Sequence, residues 1–124
     1  MIKEMPNLEE FTGTEGYHYL NFLKNLKFTD GFKFLCEKVG GFWITDILAS
    51  VQHLDKIKEN GFIVWVLAVE DNKGVISAYS DTDENGEYPK ENLLYTQEIN
   101  YTDFPKGQFS FYQIEDVVLL KDEY

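Results

Sequence analysis

The stretch Gly40-Gly41-Phe42-Trp43-Ile44-Thr45-Asp46-Ile47-Leu48-Ala49-Ser50-Val51-Gln52-His53-Leu54 constrains the fold more than any other. Its apolar residues at 44, 47, 48, 51 and 54 recur at helical spacing, and the two glycines before it let the backbone turn and approach closely. A second helix precedes it. Thr29 suits an N-cap, Asp30 suits a first turn, and Phe32, Leu35, Cys36 and Val39 fall at i, i+3, i+4 and i+7 before Gly40. After Gly61 the period changes. Phe62 to Val69 is an unbroken, β-branched apolar run that fits a central strand, covered on one face and partly on the other.

The remaining chain reads as strands and turns. Asp71-Asn72-Lys73-Gly74 supplies a hairpin turn, and Val75 to Tyr79 returns as its second strand. Asp81 to Glu91 is a loop by composition. Strands are expected over 93–101, 108–114 and 117–120, with a turn at Thr102 to Gly107. At the N-terminal end, Pro6 to Phe11 suggests one short helix, and Tyr17 to Phe28 satisfies both periods with a lean to extended structure and a turn. Helices first and strands afterwards indicate an α+β fold: two to three N-terminal helices on one face of a 4–5 stranded antiparallel sheet, in one domain over 1–124.

Charge narrows the function. The 22 acidic residues outnumber 11 basic ones, all lysine, for a net charge of -11. A polyanion without arginine lacks the planar fork that grips phosphate or guanine, and DNA, RNA and anionic lipid repel it. Direct nucleic-acid and membrane binding are therefore not expected; the charge either keeps the domain soluble or meets a basic protein. Cys36 has no partner for a disulfide and sits in an apolar pattern, so it reads as a small core residue. No signal-like run opens the chain and no segment approaches the ~18 apolar residues of a membrane span, so a cytoplasmic protein is expected.

Two motifs invite chemistry. Asp81-Thr82-Asp83-Glu84-Asn85-Gly86 matches the first six positions of a calcium loop, but position twelve is Asn92 instead of a bidentate Glu, and the flanks read as strands. A weak calcium module at 81–86 is one alternative; an acidic hairpin loop is the plainer reading. Asp46, Ser50 and His53 share the polar side of the second helix and invite a small hydrolase or ligand-binding reading. No nucleophile elbow or oxyanion donor accompanies them. His18 lacks a second histidine or cysteine at zinc-ligand spacing, and the glycines make no phosphate-binding fingerprint. No catalytic residue, metal or cofactor is assigned. Tyr79, Tyr88, Tyr95, Phe104 and Tyr112 could form an aromatic face rimmed by acids, although packing in the core accounts for such residues as well.

Several segments together resemble an uncharacterised bacterial family, domain of unknown function 6876. They are Phe11-Thr12-Gly13-Thr14-Glu15, Thr29-Asp30-Gly31, Trp43-x-x-Asp46-x-x-Ala49-Ser50 with Gln52, Trp65-x-Leu67, Gln97-x-Ile99-x-Tyr101-Thr102-Asp103-Phe104-Pro105 and Asp122-Glu123-Tyr124. The resemblance implies no activity; it carries an association with phages and other mobile elements. Asp30, Asp46 and Asp103 in these segments either cap backbone N–H groups or converge on a site. Charge, missing catalytic constellation and resemblance together lead to the expectation of a small, acidic, non-enzymatic protein-binding protein, an inhibitor of a nucleic-acid-handling host factor such as a CRISPR effector. Its partner would be a basic nucleic-acid-binding protein or ribonucleoprotein, met by Asp81, Asp83, Glu84, Glu87, Tyr88 and Glu91.

Overall fold

A computed structural model describes Met5, residues 16–20 and residues 23–124. The helix expected over 6–11 lies outside the described residues. Thr29 caps the first helix, α1 (Asp30–Val39), its hydroxyl accepting from Phe32 N at 3.4 Å, and Gly40 ends it in the left-handed region at φ 69°. The next helix, α2 (Phe42–Ser50), follows at once. It is shorter than its apolar stripe: Val51 to Leu54 form turns, and a one-turn helix, α3 (Asp55–Lys58), completes the layer by burying Ile57. Ile44, Leu48 and Val51 nevertheless reach the core as their spacing requires.

The strands are β1 (Tyr17–His18), β2 (Lys27–Thr29), β3 (Phe62–Glu70), β4 (Lys73–Tyr79), β5 (Leu93–Ile99), β6 (Gly107–Ile114) and β7 (Val117–Leu120). They make one sheet in the order β1-β2-β7-β6-β3-β4-β5. The expected sheet of 4–5 strands is therefore too small, and it is not wholly antiparallel. The period-ambiguous stretch before α1 supplies β1 and β2, and β2 runs parallel to β7. A segment this short gives no periodic signal strong enough to separate strand from helix. The main fold class holds, with α1 over β2 and β7 and α3 over β5.

β3 is central, paired with β4 from Val64 to Glu70 and with β6 from Phe62 to Val69. Its odd residues Ile63, Trp65, Leu67 and Val69 enter the core. On the outer face Val64 and Val66 are also buried, whereas Ala68 and Glu70 are exposed, so the strand is covered on both faces only over its first half. Asp71 and Asn72 both adopt positive φ, 52° and 61°, the backbone of a two-residue type I′ turn whose twist suits the flanking strands. Asn72 also exchanges hydrogen bonds with Thr102: its carbonyl accepts from Thr102 N at 2.8 Å and its Nδ2 donates to Thr102 O at 3.1 Å.

Phenylalanines run through the core as one series of ring contacts, Phe28–Phe32–Phe111–Phe109–Phe104, with centroids 4.9–5.9 Å apart. Offset and edge contacts of this kind add about 0.5–1.5 kcal/mol per pair to the burial itself. Trp65, fully buried, is the larger organiser of the core; Trp43 is only partly buried at its margin.

Candidate functional site

The acidic segment connecting β4 to β5 folds on itself. Asp83 Oδ1 accepts from Asn85 N and Glu87 N, both at 2.9 Å, while Asp83 N donates to Glu87 O and Gly86 N donates to Asp83 O. Gly86, at φ 75°, occupies the left-handed position that this turn requires. The base is closed by Ser80 N donating to Asn92 O, Asn92 Nδ2 donating to Asp81 O, and a 3-10 turn over Lys90–Asn92. A register shift between Ala78 and Tyr79 marks a bulge where β5 begins, a common device for re-aiming the adjoining chain.

Within this frame the residues expected to meet a partner divide. Asp81, Glu84, Glu87 and Glu91 are exposed, and Asp83, though exposed, directs Oδ1 into the loop. Tyr88 is half-buried, its ring 5.2 Å from that of Tyr79. The calcium-like spacing is thus used for turn-making: Asp81 Oδ1 accepts from Thr82 N at 2.8 Å, and Asp83 Oδ1 is engaged as above. Among the described residues no three His, Cys, Asp or Glu side chains converge as a metal site, which also separates Asp30, Asp46 and Asp103 from any such cluster.

The five aromatics expected on one face do not all share it. Phe104 is buried in the phenylalanine series, and Tyr95 packs against the core with its hydroxyl donating to Gln97 Oε1. Tyr79 and Tyr112 do share the outer face, flanking Val64 from β4 and β6. Phe62 and Tyr124 extend this row beside Tyr112, at 5.1 and 5.5 Å between centroids, and Tyr124 is 74% exposed. The acidic loop is joined to the other end of the row through Tyr88.

Asp46, Ser50 and His53 are not assembled. Ser50 Oγ donates to Ile47 O at 2.8 Å, α2 ends at Ser50, and His53 lies in the following turn. No described hydrogen bond links any of the three to another. His18 instead meets Asp30, Nε2 to Oδ1 at 2.6 Å, in a hydrogen bond that sequence spacing could not reveal because β1 delivers it.

Beside it lies the other cluster that sequence reasoning missed. Glu123, in a 3-10 turn over Lys121–Glu123, is buried; its Oε1 accepts from Thr29 Oγ1 at 2.5 Å and Leu120 N at 3.0 Å, and its Oε2 accepts from Gly31 N at 3.2 Å. A carboxylate here satisfies an N-terminal N–H of α1 and faces the positive end of its dipole. Gly31 is required by closeness: a Cβ would stand 2.8 Å from Glu123 Cδ and from Leu120 Cδ1. Two of the segments that carried the resemblance, Thr29-Asp30-Gly31 and Asp122-Glu123-Tyr124, are therefore one structural unit.

Fold and site define an acidic α+β protein whose polar residues chiefly cap and frame, with carboxylates and aromatics left on its surface. The chain belongs to a family of unknown function, DUF6876, whose sequence profile matches residues 3–124. No curated protein and no solved structure matches it. Among the described residues no helix is long and apolar enough to cross a membrane.

Proposed function

We propose that this protein is a non-enzymatic binding module whose acidic loop docks on a basic surface of a nucleic-acid-handling protein and competes there with nucleic acid. An inhibitor carried by a phage or mobile element and directed at a CRISPR effector or similar ribonucleoprotein is the form of this role that we favour. One observation carries the reading: the loop is held by its own backbone and by Tyr88 on Tyr79 while Asp81, Glu84, Glu87 and Glu91 remain exposed. A preorganised loop loses less freedom on binding than a flexible acidic tail does. Clustered carboxylates would steer association with a basic groove, and an aromatic row is the kind of surface that anchors such contacts.

The test is affinity capture from the host, with identification of the recovered protein and measurement of its binding across salt. A basic nucleic-acid-binding partner whose affinity falls with salt, and falls again when Asp81, Glu84 and Glu87 are changed to Lys, is the expected result. Recovery of no such partner, or binding indifferent to the charge reversal, overturns the proposal.

A further inference from the structure

The sheet ends on one side in β5, a seven-residue strand with one edge unpaired among the described residues; the opposite edge, β1, is two residues long. Glu70 and Lys73 flank a two-residue turn and so form a hydrogen-bonded pair, and the alternation of the ladder then turns the backbone groups of Gly74, Ile76 and Ala78 toward β5. Their partners Ile99, Gln97 and Tyr95 bond β4, which leaves the N–H and C=O of Thr96 and Glu98 directed away from it. Among the described residues no backbone hydrogen bond outside the ladder reaches Leu93–Ile99, and no residue of the strand is buried. α3 approaches β5 from the core side, where its Ile57 is buried in the cluster against which Tyr95 and Ile99 pack. Open edges of soluble sheets are ordinarily blunted by lysine, proline or a bulge. Here the bulge lies at Ala78/Tyr79, the pairing from Tyr95 to Ile99 is regular, and the strand holds neither lysine nor proline.

We propose that β5 is a homodimer interface, pairing antiparallel with β5 of a second copy about a two-fold axis at Thr96. An antiparallel edge is self-complementary, so one strand supplies both halves of an isologous contact through its backbone. Charge favours this occupant and sets its register. The chain carries a net charge of -11, yet β5 contributes only Glu98, so copies that repel one another elsewhere can approach here. With Thr96 opposite Thr96 of the second copy, each Glu98 faces a Leu94, and the two Glu98 residues stand about 14 Å apart along the strands, beyond the ~8 Å screening length of physiological salt. An axis at Gln97 would instead set them diagonally, about 7–8 Å apart. Antiparallel pairing also sends the two acidic loops, which enter β5 at Leu93, to opposite ends of the contact. Tyr95 and Gln97, joined within one chain by the Tyr95 hydroxyl, face Gln97 and Tyr95 of the second copy. The contact does not depend on the function proposed for the loop.

Sedimentation equilibrium of the full chain over about 10–500 µM, with amide exchange measured at both ends of that range, tests this. A monomer–dimer equilibrium is expected, strengthened by salt because screening relieves the repulsion of two acidic copies; binding of a basic partner by the loop is weakened by salt. Exchange at Thr96 and Glu98 should slow as protein concentration rises, while Gln97, bonded to β4, stays unchanged. Thr96 is exposed, and Thr96→Glu sets like charges opposite each other at the axis, so dimerisation should weaken about tenfold. Mixing Thr96→Glu with Thr96→Lys should restore it as a heterodimer; both variants give up the hydrogen bond to the Ser77 hydroxyl, so that loss cancels in the comparison. A wild-type monomer throughout the range, a dimer without slowed exchange at Thr96 and Glu98, Thr96→Glu dimerising as well as wild type, or a mixture that stays monomeric overturns the proposal.

Discussion

Gln52 and Gln113 form a reciprocal amide pair between the turn after α2 and the centre of the sheet. Gln113 Nε2 donates to Gln52 Oε1 at 2.8 Å, and Gln52 Nε2 donates to Gln113 Oε1 at 3.1 Å. The indole of Trp65 donates to the same Gln113 oxygen at 3.0 Å, Gln113 Nε2 also reaches Glu115 O, and Gln52 Nε2 reaches Leu48 O. A buried tryptophan N–H must find an acceptor, and here a strand residue supplies it while holding the helical layer in register.

Gln113→Leu removes the acceptor of two donors at once. Each donor left buried and unmade costs about 1–3 kcal/mol. Gln52→Leu leaves Trp65 satisfied through Gln113 and should cost distinctly less. Urea unfolding of the two variants and their combination checks this order; the double loss should fall short of the sum, because the residues share one network.

A second prediction concerns the carboxylate that joins the C-terminal turn to α1. Glu123→Ala strands Thr29 Oγ1 and the Gly31 and Leu120 N–H groups, and should lower stability by about 2–4 kcal/mol, as breaking a buried hydrogen-bonded charge does. Glu123→Gln keeps a carbonyl acceptor and should lose less. Gly31→Ala should destabilise even with Glu123 intact, because the added methyl meets Glu123 and Leu120. Thermal unfolding of the three variants distinguishes a cap from a surface carboxylate, whose removal would leave all but the glycine variant near wild type.

The contrast between these two networks and the rest of the fold marks how far the sequence could be read. Thr29, the i, i+3, i+4, i+7 stripe and Gly40 placed α1 to the residue, because local capping and periodicity decide helix ends. The apolar run at 62–69 and the Asp71-Asn72 turn placed the central hairpin for the same reason. β1 and β2 were legible only as a lean to extended structure with a turn: two or three residues carry too little period to fix a strand, and β2 pairs with β7, which is distant in sequence. Gln113 and Glu123 read as ordinary polar positions, since nothing nearby in sequence announces the indole of Trp65 or the end of α1 as a partner. The acidic loop was legible by composition, but not that Asp83 serves its frame while its neighbours face outward.

Cys36 yields a prediction about pH. Burial, with a smaller contribution from the nearby Glu37 carboxylate, pushes its thiol from 9.0 up to about 12. A thiol so held supplies no thiolate at neutral pH, and alkylation should proceed only through unfolding, at a rate that rises with denaturant. The sign of the linkage follows. Above pH 9.0 the unfolded chain releases a proton that the folded chain keeps until about 12, so this group's contribution is intact below 9.0 and is lost as pH rises through that window. Stability measured against Cys36→Ala should therefore show wild type losing ground above pH 9.0.

The acidic loop allows frame and contact to be separated. Asp83→Ala removes the oxygen that holds Asn85 N and Glu87 N, and Gly86→Ala forces a side chain into φ 75°, which costs about 1 kcal/mol or more. Both changes should loosen the loop, seen as faster amide exchange at Asn85 and Glu87, with little change in global stability because the loop lies outside the core. The Glu84 side chain makes no hydrogen bond among the described residues, so Glu84→Ala should leave exchange unaltered. If the loop is the binding surface proposed, Glu84→Ala and Asp83→Ala must both weaken the partner, the first by losing an attractive charge, with a shallower dependence on salt, and the second by the added cost of ordering the loop. Tyr88→Ala belongs with the second class, since it detaches the loop from Tyr79. A partner weakened by Glu84→Ala alone would mean that preorganisation is irrelevant to binding, and one weakened by neither Asp83→Ala nor Glu84→Ala would place the contact elsewhere on the sheet.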